Sequence, residues 1–364
     1  MSKVLFLVNH DVVIYNFRLE IVERLLADGH QVVISSPYGE RIDALVEMGC
    51  EYRSIEMSRH GMNPVQELKL LNTYIKLLKE VKPDIVLTFT IKPNVYGGMA
   101  CAMLDIPYVV NITGLGTAVE NGGLVQKITV MLYKLALPKV QRVFFQNTEN
   151  RQFFIDRKLA LGKHDLLPGS GVNLQRFSPL EYPGEETTEF VFISRIMKEK
   201  GADQYLDAAE YIRAKYPNTR FHVCGFCEQA YEERLKDLHE KGIIHYHGMV
   251  RNVREVIAKT HCTIHPTYYP EGLSNVLLES AACARPLITT DRSGCREVID
   301  NGVNGFIIKQ QNTQDLIEKI ESFLALPWEQ RKAMGLAGRA KVEKEFDRQV
   351  VVDKYMDEVN VIGG

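Results

Sequence analysis

The sequence predicts an α/β protein made of two Rossmann-like, doubly wound domains that face one another across a cleft. Three observations lead there. First, 364 residues with 45% hydrophobic and 25% charged content describe an ordinary globular chain long enough to build two cores. Second, short continuous apolar runs alternate with longer amphipathic stretches, as in parallel sheets buried on both faces by helices. Third, the alternation occurs twice, interrupted at "FSPLEYPGEETTEF" (177–190), which is rich in Pro, Glu and Thr and has no apolar periodicity.

In the first series the strands are "KVLFLVN" (3–9), "QVVISS" (31–36), "DIVLTF" (84–89), "YVVNI" (108–112) and "RVFFQN" (142–147), with helical patterns near 15–28, 64–81, 94–104, 123–138 and 148–158. In the second they are "FVFIS" (190–194), "RFHVCG" (220–225), "CTIHP" (262–266), "PLITT" (286–290) and "GFIIK" (305–309). Helices follow near 202–215, 228–241, 251–259, 274–284 and 313–325. The predicted domains are 1–178 and 179–346, with an amphipathic segment at about 347–364, within "FDRQVVVDKYMDEV" and beyond, packing back on the first. Ligands of such sheets bind at the carboxyl ends of the strands.

Composition excludes some classes. A net charge of -2 lacks the basic excess of a nucleic-acid-binding protein, so no nucleic-acid partner is expected. "MSKVLFLVNHDVV" reads as a first strand and not a signal peptide, and no apolar run approaches the roughly 18–20 residues of a membrane span, so a cytoplasmic location is expected. Seven cysteines, an odd number, fit reduced thiols, and the lone C-x-x-C of Cys224 and Cys227 reads as ordinary thiols in the absence of a second pair.

The strand-to-helix junctions of the second series carry the chemistry. In "FVFISRIMKEKGADQYL", Arg195 lies just past the strand and Lys200 just before Gly201, where a helix begins. Two cations beside exposed helix N–H groups suit a diphosphate, against the plain alternative of two solvated surface charges. In "HPTYYPEGLSNVLLESAAC", a loop through Pro270 and Gly272 precedes a helix capped by Ser274 or Asn275. Glu271 is in the loop, and Glu279, one to two turns into the helix, leans back toward the same mouth. Two carboxylates would bracket a floor of backbone N–H, a space suited to a nucleotide diphosphate-sugar. The competing reading makes Glu271 a helix-dipole partner and Glu279 an exposed helix residue. Gly294 and Gly302 read as turn glycines.

Together these residues resemble a retaining glycosyltransferase of the GT-B fold, family 4, also called group 1. The resemblance is carried by the E-x7-E pair Glu271/Glu279 within "EGLSNVLLESAACARPLITTDRSGCREVIDNGVNGFII", by "SRIMKEKG" and by "PGSGVNLQRFSP" (168–179). "IYNFRLEIVERL" (14–25), "MSRHGMNP" (57–64), "TIKPNVYGG" (90–98) and "NITGLGTA" (111–118) resemble a narrower group that builds bacterial capsule, O-antigen or lipid-linked oligosaccharides, notably N-acetylgalactosaminyltransferases acting on undecaprenyl-diphosphate sugars. The resemblance implies that Arg195 and Lys200 hold the diphosphate of a UDP-sugar, Glu279 the ribose and Glu271 the transferred sugar. Gly272, Leu273, Ser274 and Asn275 would present backbone near the phosphates, and the base would sit against Met249 and Val250 in "HGMVRN". Glu271 would position the sugar and not attack it, because retention in this family is commonly explained by same-face attack. No metal or other cofactor is implied, and no D-x-D occurs.

The first domain departs from the family at two places. The Gly-Gly loop of many relatives is replaced by "NHDVVIYNFR", leaving Asn16 and its neighbours for phosphate contact, and a common histidine is replaced by Thr113, followed by Gly114. Lys92 and Asn94 follow the strand "DIVLTF", where they meet an acceptor or cap the next helix; Thr113 and Gly114 lie on the same acceptor side. "LVQKITVMLYKLALPKVQR" interleaves Lys127, Lys134, Lys139 and Arg142 with large apolar residues. It reads either as a core helix with a wet face or as contact with an anionic membrane at the inner face of the cytoplasmic membrane, where a lipid-linked acceptor would be collected. A hydrolysing UDP-sugar epimerase with the same layout and a non-catalytic nucleotide-sugar-binding subunit are the alternatives.

Overall fold

The computed structural model describes residues 1–57, 63–120, 122–227 and 230–363. Most of "MSRHGMNP" and the first residues of the helix expected at 228–241 lie outside the described residues. The chain forms two compact units, 1–171 with 348–364, and 172–347.

The first unit is built on β1 (Lys3–Leu7), β2 (Gln31–Ser36), β3 (Glu51–Ser54), β4 (Ile85–Phe89), β5 (Tyr108–Ile112), β6 (Arg142–Phe145) and β7 (His164–Leu166). They form a parallel sheet in the order β3-β2-β1-β4-β5-β6-β7. Alternate residues of β1 enter different layers: Leu5 and Leu7 join a core with Leu70, Leu78 and Tyr133, whereas Val4 and Phe6 join one with Val22, Leu25 and Tyr355. Burial on both faces is why this strand reads as an unbroken apolar run.

The helix Arg348–Gly363 closes the second of those layers. Its Tyr355 hydroxyl accepts from the Asn111 amide at 2.6 Å, and the ring lies 5.0 Å from Phe144 and 5.9 Å from Phe89. At its start the Arg348 guanidinium donates to both Glu20 carboxylate oxygens at 2.9 Å and to the Gly171 carbonyl at 3.2 Å. Gly171 has φ +64°, and a Cβ there would stand 2.4 Å from Arg348 Cα, so a side chain at this crossing is excluded.

The second unit carries β8 (Thr188–Ile193), β9 (Thr219–Cys224), β10 (Ile244–Tyr246), β11 (Cys262–His265), β12 (Leu287–Thr290) and β13 (Gly305–Ile308). Their order is β10-β9-β8-β11-β12-β13, again parallel. The stretch 177–190 belongs wholly to this unit: Phe177 is buried, and the buried Tyr182 donates its hydroxyl proton to the His261 carbonyl at 3.0 Å. The seven cysteines are free thiols, Cys224 buried and Cys227 half-buried.

Three strands absent from the sequence reading, β3 ("EYRS"), β7 ("HDL") and β10 ("IHY"), lie at sheet edges. With one neighbour each they need no continuous apolar run. The helix expected over 15–28 is instead two, Asp11–Phe17 and Leu19–Ala27, broken at the buried Arg18, whose guanidinium sits 5.2 Å from the Phe89 ring.

Candidate functional site

In the second unit the segments following β8, β11 and β12 converge at the carboxyl edge of the sheet. After β8 the chain passes Arg195 and makes a short turn, Lys198–Lys200, before Gly201 at φ +80° opens the helix Ala202–Lys215. A Cβ on Gly201 would stand 2.2 Å from the Pro266 carbonyl oxygen. This approach brings Lys200 against the loop that follows β11. The Tyr268 amide donates to the Glu199 carbonyl at 2.9 Å and joins the two segments.

There the Lys200 ammonium is paired with Glu271 Oε1, with both side chains largely buried. The Tyr269 ring carries both cations, Lys200 Nζ at 4.7 Å from its centroid and Arg195 Cζ at 5.3 Å. Two further groups face the same carboxylate oxygen: His265 Nε2 at 3.4 Å and Thr267 Oγ1 at 3.5 Å. Burial alone would push the Glu271 carboxyl up, but the Lys200 ammonium and the His265 imidazole outweigh it and hold the group well below the usual carboxylate range. Glu271 is therefore a fixed negative charge at neutral pH, unsuited to donating a proton.

The loop Glu271–Ser274 is clasped from the other side by the segment after β12. The Ser274 amide donates to the Gly294 carbonyl at 2.7 Å, and Gly294, at φ +89°, brings its Cα so close that a Cβ would stand 2.7 Å from the Gly272 carbonyl oxygen. Glu297 secures this clasp by accepting from the Gly294 amide at 2.7 Å and the Ser293 hydroxyl at 3.2 Å. Ser274 is the N-cap of the helix Asn275–Ala282, but its side chain makes no capping bond, so no side chain of the cap takes the first-turn amides. Leu273 and Ser274 are buried, Asn275 and Glu279 half-buried. Glu279 follows Asn275 by one turn and shares its side of the helix. This face offers cations, uncapped amides and a half-buried carboxylate, a set that can hold a diphosphate and a polyol together.

Met249 and Val250 occupy the turn after β10, the first exposed and the second half-buried. Gly248 in this turn accepts from the Gly225 amide at 2.8 Å. His247 at its start is hydrogen-bonded to His222 at 2.9 Å, and His222 in turn to Glu189 at 2.7 Å.

In the first unit, Asn16 lies in the helix Asp11–Phe17, and its carbonyl accepts from Arg348 at 3.3 Å. Lys92 Nζ pairs with Glu67 at 2.5 Å on the wall of a cavity of about 670 Å³ that is also lined by Tyr38, Met57 and Leu70. Asn94 is 1% exposed; its amide accepts from Thr88 at 2.8 Å and donates to the Asn111 carbonyl at 2.8 Å. Both ends thus hold β4 to β5, and the side chain is not presented to a ligand. Thr113 and Gly114 follow β5, both half-buried.

Sequence reading missed His265, Thr267, Tyr269, Gly294 as a clasp, and Glu297. His265 carried one signal, a polar residue closing the apolar strand "CTIH". Among the described residues, one group, His265, Glu271 and Cys295, offers three ligand atoms within 4.8 Å of one another. The Lys200 ammonium already on Glu271 opposes a cation there.

The comparisons with known proteins agree with this architecture. Residues 178–341 match the family described as glycosyl transferases group 1, and residues 3–147 match glycosyl transferase 4-like. A Campylobacter jejuni protein, N,N'-diacetylbacillosaminyl-diphospho-undecaprenol alpha-1,3-N-acetylgalactosaminyltransferase, is 26% identical over 361 residues, 94% of each chain. An Escherichia coli UDP-Gal:alpha-D-GlcNAc-diphosphoundecaprenol alpha-1,3-galactosyltransferase is 24% identical over 70% of each. Among solved structures, Anabaena HepE in complex with UDP superposes with a TM-score of 0.79 at 16% identity over 99% of each chain. With a group 1 domain matched in its second half, a glycosyl transferase 4-like domain in its first and a glycosyltransferase relative aligned over 94% of each chain, the protein is a glycosyltransferase built on two α/β domains.

Proposed function

We propose that the protein transfers a sugar from a UDP-sugar to a lipid-diphosphate-linked saccharide, with retention of configuration and without a metal ion, in the assembly of a bacterial surface polysaccharide or oligosaccharide. The observation that carries the reading is the buried Lys200–Glu271 pair beside Arg195 at the mouth of the helix Asn275–Ala282. An ammonium has three donors, so Lys200 can keep Glu271 and still meet a phosphate oxygen. Arg195, Lys200 and the amides of Gly272, Leu273 and Asn275 stabilise the leaving diphosphate, whereas the Ser274 amide, expected beside the phosphates, is spent on the Gly294 carbonyl. Glu279 accepts from the ribose hydroxyls, Met249 and Val250 support the base, and Glu271, held ionised, accepts from hydroxyls of the transferred sugar. Asn16 serves the phosphate side of the first unit. On the acceptor side Lys92, on its cavity wall, and the Thr113–Gly114 turn contact the acceptor. The undecaprenyl-diphosphate substrates in the relatives' names support a lipid-linked acceptor.

The test is a panel of UDP-sugars offered with and without lipid-diphosphate saccharides, read by UDP release and product mass. Transfer product is expected only with acceptor, and Glu279→Ala should raise the donor KM at least about tenfold. An altered free sugar released without acceptor, or wild-type turnover by both Glu279→Ala and Lys200→Ala, would sink the assignment.

A further inference from the structure

The helix Gly123–Ala136, between β5 and β6, presents an unusual surface. Thr129, Tyr133 and Ala136 are its buried residues, and the Tyr133 ring packs 5.1 Å from Phe154. On the opposite side Leu124 is 72% exposed, Met131 54% and Leu135 57%, and Lys127 and Lys134 are exposed with them. At about 100° per residue these five residues fall in one stripe roughly 100° wide. The sequence "GLVQKITVMLYKLA" contains no acidic residue. Just beyond it Lys139 is exposed and paired with Asp105, near the end of the helix Gly98–Leu104, on which Met103 is 64% exposed.

Large apolar side chains interleaved with lysines on an outward face match a boundary that is apolar inside and anionic at its edge. The helix begins downstream of the Thr113–Gly114 turn, so its first residues, Leu124 included, lie toward the carboxyl edge of the sheet, the edge from which Lys92 also emerges. Among the described residues no helix is long and apolar enough to cross a membrane.

We infer that the face formed by Leu124, Lys127, Met131, Lys134 and Leu135 docks the enzyme on an anionic lipid bilayer, with the apolar side chains among the acyl chains and the lysines at the headgroups. The inference rests on the proposed lipid-linked acceptor, since docking at this edge presents the acceptor site to lipid-borne substrate.

The full chain is sedimented with vesicles of phosphatidylcholine alone and of phosphatidylcholine mixed with phosphatidylglycerol, and UDP affinity is measured calorimetrically on the same samples. Wild type should bind the anionic vesicles, less so as salt is raised. The variant Leu124→Ser/Met131→Ser/Leu135→Ser should bind at least about tenfold more weakly with unchanged UDP affinity, and Lys127→Gln/Lys134→Gln should lose the salt-sensitive part of binding. Vesicle binding by the triple variant equal to wild type, or no binding by wild type, would overturn the docking face while leaving the donor site intact. A wild-type dimer in light scattering that the triple variant abolishes would assign the face to a second copy instead. Loss of UDP affinity in wild type itself would count against the proposed function, separately from the membrane result.

Discussion

Lys200 and Glu271 are separated by 71 positions in the sequence and meet as a largely buried ion pair. Removing one member strands the other charge in low dielectric, at a cost of about 3–5 kcal/mol. Lys200→Met alone should therefore lower stability in urea denaturation markedly, and the double variant Lys200→Met/Glu271→Leu should cost less than the sum of the two single changes. Additive costs would mean that the pair is not formed in solution.

The same carboxylate sets a pH dependence. Its folded pKa lies below the ordinary value of 4.5, so its stabilising contribution is complete above that value and is lost as pH falls through the folded value. The stability gap between wild type and Glu271→Gln, followed by urea midpoint, should be constant from pH 7 to about 5 and shrink below pH 4.5.

Gly294→Ala tests the clasp. The backbone at φ +89° and the approach to the Gly272 carbonyl both resist a side chain. The variant should remain folded by circular dichroism while the displaced Glu271–Ser274 loop weakens binding of UDP-sugar at least about tenfold, as read by calorimetry. Gly302→Ala, where nothing lies within 4 Å, is the control for left-handed backbone without a close approach.

Histidines crowd β9 and β10 in the second unit. Desolvation first, then the neighbouring His222, depresses both His245 and His247 below the ordinary 6.5. Because the folded state resists protonation of these rings more than the unfolded chain does, their contribution is present above pH 6.5 and lost as pH falls. The Tm should drop between pH 6.5 and 5, and the drop should be smaller in His247→Asn; an unchanged slope would show that the His222–His247 bond carries none of it.

The fold was legible where physics writes itself locally. The central strands "KVLFLVN" and "DIVLTF" are apolar because both their faces are covered, and the helix Thr313–Ala325 shows its period because one face is wet. Edge strands such as "EYRS" carry no such signal. At the site, Glu271 and Lys200 could be picked out as chemically apt residues, but their pairing could not, because it depends on Gly201 admitting the Pro266 carbonyl from a distant loop. Asn94 shows the converse: its position after β4 suggested a ligand contact, yet its amide is used up between two strands. Neither spacing nor residue type distinguishes an amide that binds substrate from one that binds backbone.

The two crossings of the chain, at Gly171–Val172 and Asp347–Arg348, bear on how the protein is made. The second unit is one continuous stretch and can close as soon as it leaves the ribosome. The first unit, although begun earlier, keeps the sheet face that Val351, Val352, Tyr355, Met356 and Val359 will cover until the last helix emerges. During synthesis, the domain that is started first is therefore the one completed last, its apolar face open in the interval.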